Sequence, residues 1–162
     1  MALLKLEKPL RWTGYVRPVC LPSSQPITKL NPKDVIIACY GAYHLIFDSN
    51  SFPLTPSRLK VATVPYINPV VCLNGGINLS TRFCLPASWR DDDLNIQIRA
   101  TCRGDSGGPV LHDRGRDRWE LLGITSWSTG ADSCSEGPST YVTVSYYREL
   151  IINTISQSSE LH

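Results

Sequence analysis

Short apolar runs broken by turn residues constrain this chain more than any other feature. From Asp34 onward the runs Val35–Ala38, Arg58–Val64, Val110–Leu111, Trp119–Trp127 and Thr140–Val144 recur between clusters of Pro, Gly, Ser, Asn and Asp. Runs of about four to eight residues suit strands, whereas a helix needs a longer stretch with a 3.6-residue period. Twelve prolines and 11 glycines point the same way. Proline removes a backbone N–H and breaks helix interiors, and glycine supplies turn conformations. The pattern predicts an all-β chain, an antiparallel barrel or sandwich. One segment departs from it. Leu150, Ile151 and Ile155, with Tyr146 or Tyr147, recur at helical spacing after Ser145, a residue type that caps helices. The spacing predicts a helix over 145–156 and a polar tail. Ala2–Leu6 reads as a short, mostly buried strand. Residues 17–34 carry Pro18, Pro22, Pro26, Pro32 and Ser23-Ser24, which is linker composition.

Bulk properties narrow the function. The 162 residues suit one domain, or one domain and a fragment, and 42% hydrophobic content is too much for a disordered chain. No apolar run approaches the ~20 residues of a membrane span. The net charge of +2 is scattered, so no nucleic-acid groove is expected. Asp91-Asp92-Asp93 reads as a solvated loop, and Asp113–Arg118 as a hairpin tip. The six cysteines, at 20, 39, 72, 84, 102 and 134, form an even set that fits a disulfide framework from an oxidising compartment. Their spacing, and that of the three histidines, matches no zinc pattern, so neither a metal nor a cofactor is expected. Asn78-Leu79-Ser80 is an acceptor sequon for N-glycosylation and agrees with secretion. The N-terminus does not: Lys5, Glu7 and Lys8 interrupt any apolar core of a signal peptide. A cysteine-rich, extracellular-looking chain without an export signal is expected to be incomplete at its start. The alternative is a chain from a reducing compartment with free thiols.

The chemistry concentrates in Cys102-Arg103-Gly104-Asp105-Ser106-Gly107-Gly108-Pro109. Glycines on both sides let the backbone turn sharply around a serine whose hydroxyl is then exposed. The N–H groups of Gly104 and Ser106 can converge on one point and stabilise an oxyanion there. A plain Gly-rich turn with an incidental serine is the competing explanation. The run also matches Gly-x-Ser-x-Gly, the nucleophile elbow of α/β-hydrolases. That elbow needs a helix after it, then Asp and His in order. Here Pro109-Val110-Leu111-His112 reads as a strand, and only His112 and His162 follow Ser106.

The hexapeptide Gly104–Pro109 resembles the serine motif of trypsin-like (chymotrypsin-fold) serine proteases. Arg17-Pro18-Val19-Cys20-Leu21-Pro22 resembles that family's inter-barrel linker, and Ser126-Trp127 resembles its substrate-binding strand. Gly137-Pro138 through Tyr141-Val142 and the terminal helix extend the likeness over almost the whole chain. The resemblance implies the second antiparallel β-barrel of a two-barrel fold over 35–144, carrying the serine motif. A linker over 17–34 precedes it, and 1–16 is a remnant of the first barrel, holding its last strand. The C-terminal helix and tail occupy 145–162. It further implies a secreted serine-type endopeptidase acting on protein or peptide substrates. Ser106 would be the nucleophile, with Gly104 and Ser106 forming the oxyanion hole. Asp105 would form an ion pair with an N-terminal amine released by activation cleavage.

The implied substrate pocket comprises Ala100, Thr101, Arg103, Ser126, Trp127, Ser128 and Ser139. Alanine at the base cannot pair with Arg or Lys, and serines at 128 and 139 replace usual glycines and narrow the pocket. Small or medium apolar residues are expected to fit. The implied disulfides are Cys72–Cys84 and Cys102–Cys134. Val35 and His112 stand where many relatives carry a further bridge. Cys20 would reach a first barrel or light chain outside this sequence. Cys20 and Cys39 are left over, to pair with each other or stay free. The family's Ala-His-Cys tripeptide is absent, His44 follows the linker, and the family's aspartate would fall before Met1. The chain is therefore expected to be N-terminally truncated and inactive alone. The alternative is a non-catalytic homologue that keeps the fold and binds proteins. The retained Gly-Asp-Ser-Gly-Gly-Pro favours the enzyme.

Overall fold

The computed structural model describes residues 1–24, 34–42, 56–66, 78–86, 88–90, 96–98, 101–128 and 137–159. The strands are β1 (Asp34–Cys39), β2 (Lys60–Pro65), β3 (Arg82–Leu85), β4 (Ser88–Arg90), β5 (Ile96–Ile98), β6 (Pro109–Asp113), β7 (Trp119–Ser128) and β8 (Ser139–Thr143). Six of them form one curled antiparallel sheet in the order β2-β1-β6-β7-β8-β3, while β4 and β5 pair separately. The expected all-β class and barrel-type curvature are present. The apolar runs anticipated β1, β2, β6, β7 and β8. They do not single out β3, β4 or β5, which span only four, three and three residues, too short for a period-2 alternation to stand out.

Alternation explains β1: Val35, Ile37 and Cys39 are buried between half-exposed neighbours. They meet Val64, Phe83, Leu85, Val110, Leu122 and Tyr141 in one core. Phe83 and Tyr141 are register partners across β3 and β8, and their rings stack at 5.3 Å. The segment Asp113–Arg118 is the tip of the β6–β7 hairpin, as expected. Its turn is closed by the Arg114 N–H donating to the Arg118 carbonyl at 2.9 Å. Two register shifts interrupt β7, one between Thr125 and Trp127. Ser126 is therefore an extra, bulged residue, a device that bends a strand and re-aims its side chains.

Two expectations are corrected. Ala2–Leu6 is neither a strand nor buried: these residues are exposed, Leu4 at 91%. A strand needs a neighbour to take its N–H and C=O groups, and no ladder reaches residues 1–6 among the described residues. Lys5 Nζ does donate to the Ser158 carbonyl at 3.3 Å, a cation at a helix C-terminus. The second correction concerns the helix. Val144–Tyr147 forms a 3-10 turn, and the α-helix α1 runs over Arg148–Ser159. Ser145 lies inside that turn and is not the helix cap. Of the apolar stripe only Ile151 is buried, while Leu150 and Ile155 stay more than half exposed. From the linker segment Cys20 bridges β7 opposite Glu120, and Asp34 at its end already belongs to β1. Among the described residues, no helix is long and apolar enough to cross a membrane.

Candidate functional site

Two consecutive turns build the serine loop. In the first, the Asp105 N–H donates to the Cys102 carbonyl at 3.0 Å; in the second, the Gly108 N–H donates to the Asp105 carbonyl at 2.9 Å. The third position of each turn is a glycine at positive φ, Gly104 at 91° and Gly107 at 83°. Positive φ at that position alone defines a type II turn and favours glycine. Ser106 therefore falls at the second position of the second turn, exposed at the apex. The Gly107 N–H donates to the Thr125 carbonyl at 2.9 Å, and the Thr125 N–H donates to the Gly108 carbonyl at 2.8 Å. These bonds anchor the loop on β7 immediately before the Ser126 bulge.

Beneath the apex, Asp105 is 3% exposed. Its Oδ1 accepts the Gly41 N–H at 2.6 Å and its Oδ2 accepts the Cys102 N–H at 2.7 Å. Among the described residues no cation pairs with it. Gly41 belongs to the turn after β1, and a Cβ there would overlap the Asp105 carboxylate. The buried Cys39 thiol lies 4.0 Å from the Asp105 carbonyl oxygen. Burial, then the Asp105 charge and hydrogen bond, push this thiol from its ordinary 9.0 up to about 11.

The other implied site residues separate into those brought together and those not. Thr101 and Ser139 are both buried, with the Thr101 N–H donating to Ser139 Oγ at 3.4 Å. Ser128, at the end of β7, pairs in register with Ser139. Burial pushes the Tyr141 phenol strongly up, opposed by its hydrogen bonds to Thr101 and Ser139. Arg103 is exposed on the first turn, Ser126 is half-buried and Trp127 is 55% exposed. Ala100, Cys72, Cys134, His44, His162 and the Asp91–Asp93 run lie outside the described residues.

No base among the described residues meets the serine. Among the described residues Ser106 Oγ has no hydrogen-bond partner. His112 on β6 pairs in register with Glu120, its Nδ1 3.5 Å from Glu120 Oε2. One step beyond the β1–β6 register, His112 also falls opposite Val35. No group of three or more His, Cys, Asp or Glu residues gathers to hold a metal among the described residues. Cys84 and Cys102 are disulfide-bonded, whereas Cys20 is an exposed free thiol and Cys39 a buried one. The option of a Cys20–Cys39 bond is thereby overturned. Asn78 is exposed, and its Oδ1 accepts the Ser80 N–H at 3.0 Å within the sequon. Gly41, Ala42 and Lys60 are contributors that sequence reasoning missed. Two of them act through backbone N–H groups, which leave no residue-type signature.

Comparison with known proteins agrees with the serine loop. The atrial natriuretic peptide-converting enzyme of Homo sapiens is 30% identical over 151 residues, 93% of this chain. The chain spans 13% of that relative's length. The Trypsin family model matches residues 1–151. With its serine at the apex of a double glycine turn on an antiparallel sheet, this chain belongs to the Trypsin family of serine proteases.

Proposed function

We propose that residues 35–144 form the serine-bearing barrel of a secreted endopeptidase, with Ser106 as nucleophile and the N–H groups of Gly104 and Ser106 as oxyanion donors. The observation that carries this is the double type II turn, which exposes Ser106 above a buried Asp105. A serine hydroxyl needs a base at neutral pH, and His112 faces Glu120 instead. In this reading the base and its aspartate come from a first barrel, for which the exposed arm over 1–16 and the Cys20 thiol are the contacts. Residues 17–34 are the linker and 145–162 the helix and tail. Loss of a general base removes about 10²–10⁴-fold in rate. The purified chain alone is expected to react with a fluorophosphonate probe no faster than free serine. Efficient labelling at Ser106 would sink the absence of a base; no labelling after a His- and Asp-bearing first barrel is supplied would sink the nucleophile.

Ala100 at the pocket base, with Ser128 and Ser139 on its walls, fits small or medium apolar side chains. The buried Thr101–Ser139 contact supports that narrowing. A peptide library cleaved mainly after Arg or Lys by the assembled enzyme refutes it. Asp105 would be the partner of an activating N-terminal amine, and its lack of a cation among the described residues supports that role. The pairs Cys72–Cys84 and Cys102–Cys134 are supported by the bonded state of Cys84 and Cys102 and the free thiols at 20 and 39. Peptide mapping without reduction checks them. The exposed sequon supports a glycan at Asn78; an unchanged electrophoretic mobility of Asn78→Gln after secretion from eukaryotic cells refutes it. The Ser106 hydroxyl, without a partner among the described residues, favours one second reading, a protein-binding homologue without catalysis.

A further inference from the structure

The turn after β1 grips the serine loop at two successive residues. The Gly41 N–H donates to Asp105 Oδ1 at 2.6 Å, and the Ala42 N–H donates to the Arg103 carbonyl at 2.8 Å. The first bond fixes the side chain beneath the loop. The second fixes a peptide plane within it. In a trans peptide the C=O and the N–H point to opposite sides. Holding the Arg103 carbonyl against Ala42 therefore turns the Gly104 N–H away from Ala42. Among the described residues that N–H has no backbone acceptor, and Gly104 is exposed. Rotation of the same plane would present the Arg103 carbonyl oxygen in place of the N–H. An oxygen there repels an oxyanion where a donor should stabilise it.

Residue 42 is itself held from the other side. Lys60 Nζ on β2 donates to the Ala42 carbonyl at 3.2 Å. Gly41 has no room for a side chain, because an added Cβ would lie 2.6 Å from the Asp105 backbone nitrogen as well as overlapping its carboxylate. With no cation beside Asp105 among the described residues, the N–H groups of Gly41 and Cys102 answer that buried charge.

We propose that Gly41 and Ala42 are positioning residues for the oxyanion site, and that Lys60 steadies them: the turn after β1 sets the direction of the Gly104 N–H. This rests on the reading of Ser106 as nucleophile. The test uses the chain supplied with the His- and Asp-bearing first barrel of that reading, and two variants made in the same assembly. Ala42→Pro replaces the N–H that holds Arg103 with a ring carbon that pushes against its carbonyl, and Lys60→Met leaves the turn backbone intact. A crystal structure reads the 103–104 peptide plane. Calorimetry compares a peptide ending in boro-valine, a tetrahedral oxyanion mimic, with the same peptide ending in a carboxamide.

Ala42→Pro is expected to rotate the plane and weaken the boronate at least about tenfold, with the carboxamide affinity kept within about twofold. A purely structural role would weaken both ligands alike. Lys60→Met is expected to weaken the boronate by about two- to fivefold. A folded Ala42→Pro with an unrotated plane overturns the proposal. If Ala42→Pro does not fold, Lys60→Met decides, and an unchanged boronate affinity overturns it. Boronate and carboxamide binding equally to the unmodified assembly instead overturns Ser106 as nucleophile, and the peptide plane in the variants then still decides the grip.

Discussion

The replacement Asp105→Asn tests how the serine loop is held. Asp105 is 3% exposed, and each carboxylate oxygen accepts one backbone N–H, from Gly41 at 2.6 Å and from Cys102 at 2.7 Å. Hydrogen bonds to a charged group contribute about 1.5–3 kcal/mol each. Asparagine keeps the shape but has only one oxygen. Whichever way its amide is turned, one buried N–H loses its acceptor and faces an NH₂ group instead. Removal of a buried charge without a cation offsets part of that loss. The net destabilisation is expected to be roughly 1–3 kcal/mol. For a chain of this size that lowers the melting midpoint by roughly 2–12 °C. Urea unfolding at neutral pH measures the change. The Cys39 thiol, 4.0 Å from the Asp105 carbonyl, reports locally, and its alkylation should accelerate in the variant. Stability within about 0.5 kcal/mol of the unmodified chain, together with unchanged Cys39 alkylation, would refute the assignment of these two bonds as the loop's support.

Two further outcomes follow from the same interior. With its pKa raised to about 11 by burial, Cys39 is only about one part in a thousand thiolate at pH 8. Iodoacetamide should therefore modify the exposed Cys20 in the native chain and reach Cys39 only on unfolding; equal rates would contradict the burial. Between pH 9.0 and about 11 the unfolded thiol has released its proton and the folded one has not. The unfolded chain then binds fewer protons, so stability present below pH 9 falls as pH rises through that window. The fall should be smaller in Cys39→Ala but not absent, because burial also pushes up the phenols of Tyr66 and Tyr141, which keep their share of it; denaturation across pH reads the difference. Phe83→Ala removes a ring that is 1% exposed and stacked on Tyr141. It is expected to cost about 3–5 kcal/mol, whereas a loss under about 1 kcal/mol in urea unfolding would mean that the β3–β8 contact is not part of the core.

Legibility in the sequence followed the physical kind of each interaction. Strands β1, β6, β7 and β8 could be read because their apolar residues alternate or cluster between turn residues, as Val35, Ile37 and Cys39 do. The serine loop could be read because type II turns favour glycine at one position, and Gly104 and Gly107 occupy it. Strand β3 could not, since Arg82-Phe83-Cys84-Leu85 is buried at three consecutive residues and shows no alternation. The helix start misled because Ser145 has the composition of a cap, whereas the 3-10 turn at Val144–Tyr147 delays the α-helix to Arg148. Ala2–Leu6 misled more: its composition is that of a strand, but composition does not supply a ladder partner.

That last contrast bears on function. The serine loop is held from within the chain, by β7 through Thr125 and by the turn after β1 through Gly41 and Ala42. The arm carrying Leu3, Leu4, Leu6, Leu10 and Trp12 is exposed along its length. Under the function proposed above, these exposed apolar side chains are what a first barrel would cover. The loop thus keeps its double turn with the arm exposed, and in the proposed reading the base for Ser106 comes with the barrel that covers the arm. Cofactor-free assembly with a first barrel should therefore bury the arm and restore phosphonate labelling together. Burial of the arm, followed by tryptophan fluorescence at Trp12, without a gain in Ser106 labelling would separate the two events and leave the fold as a binding module.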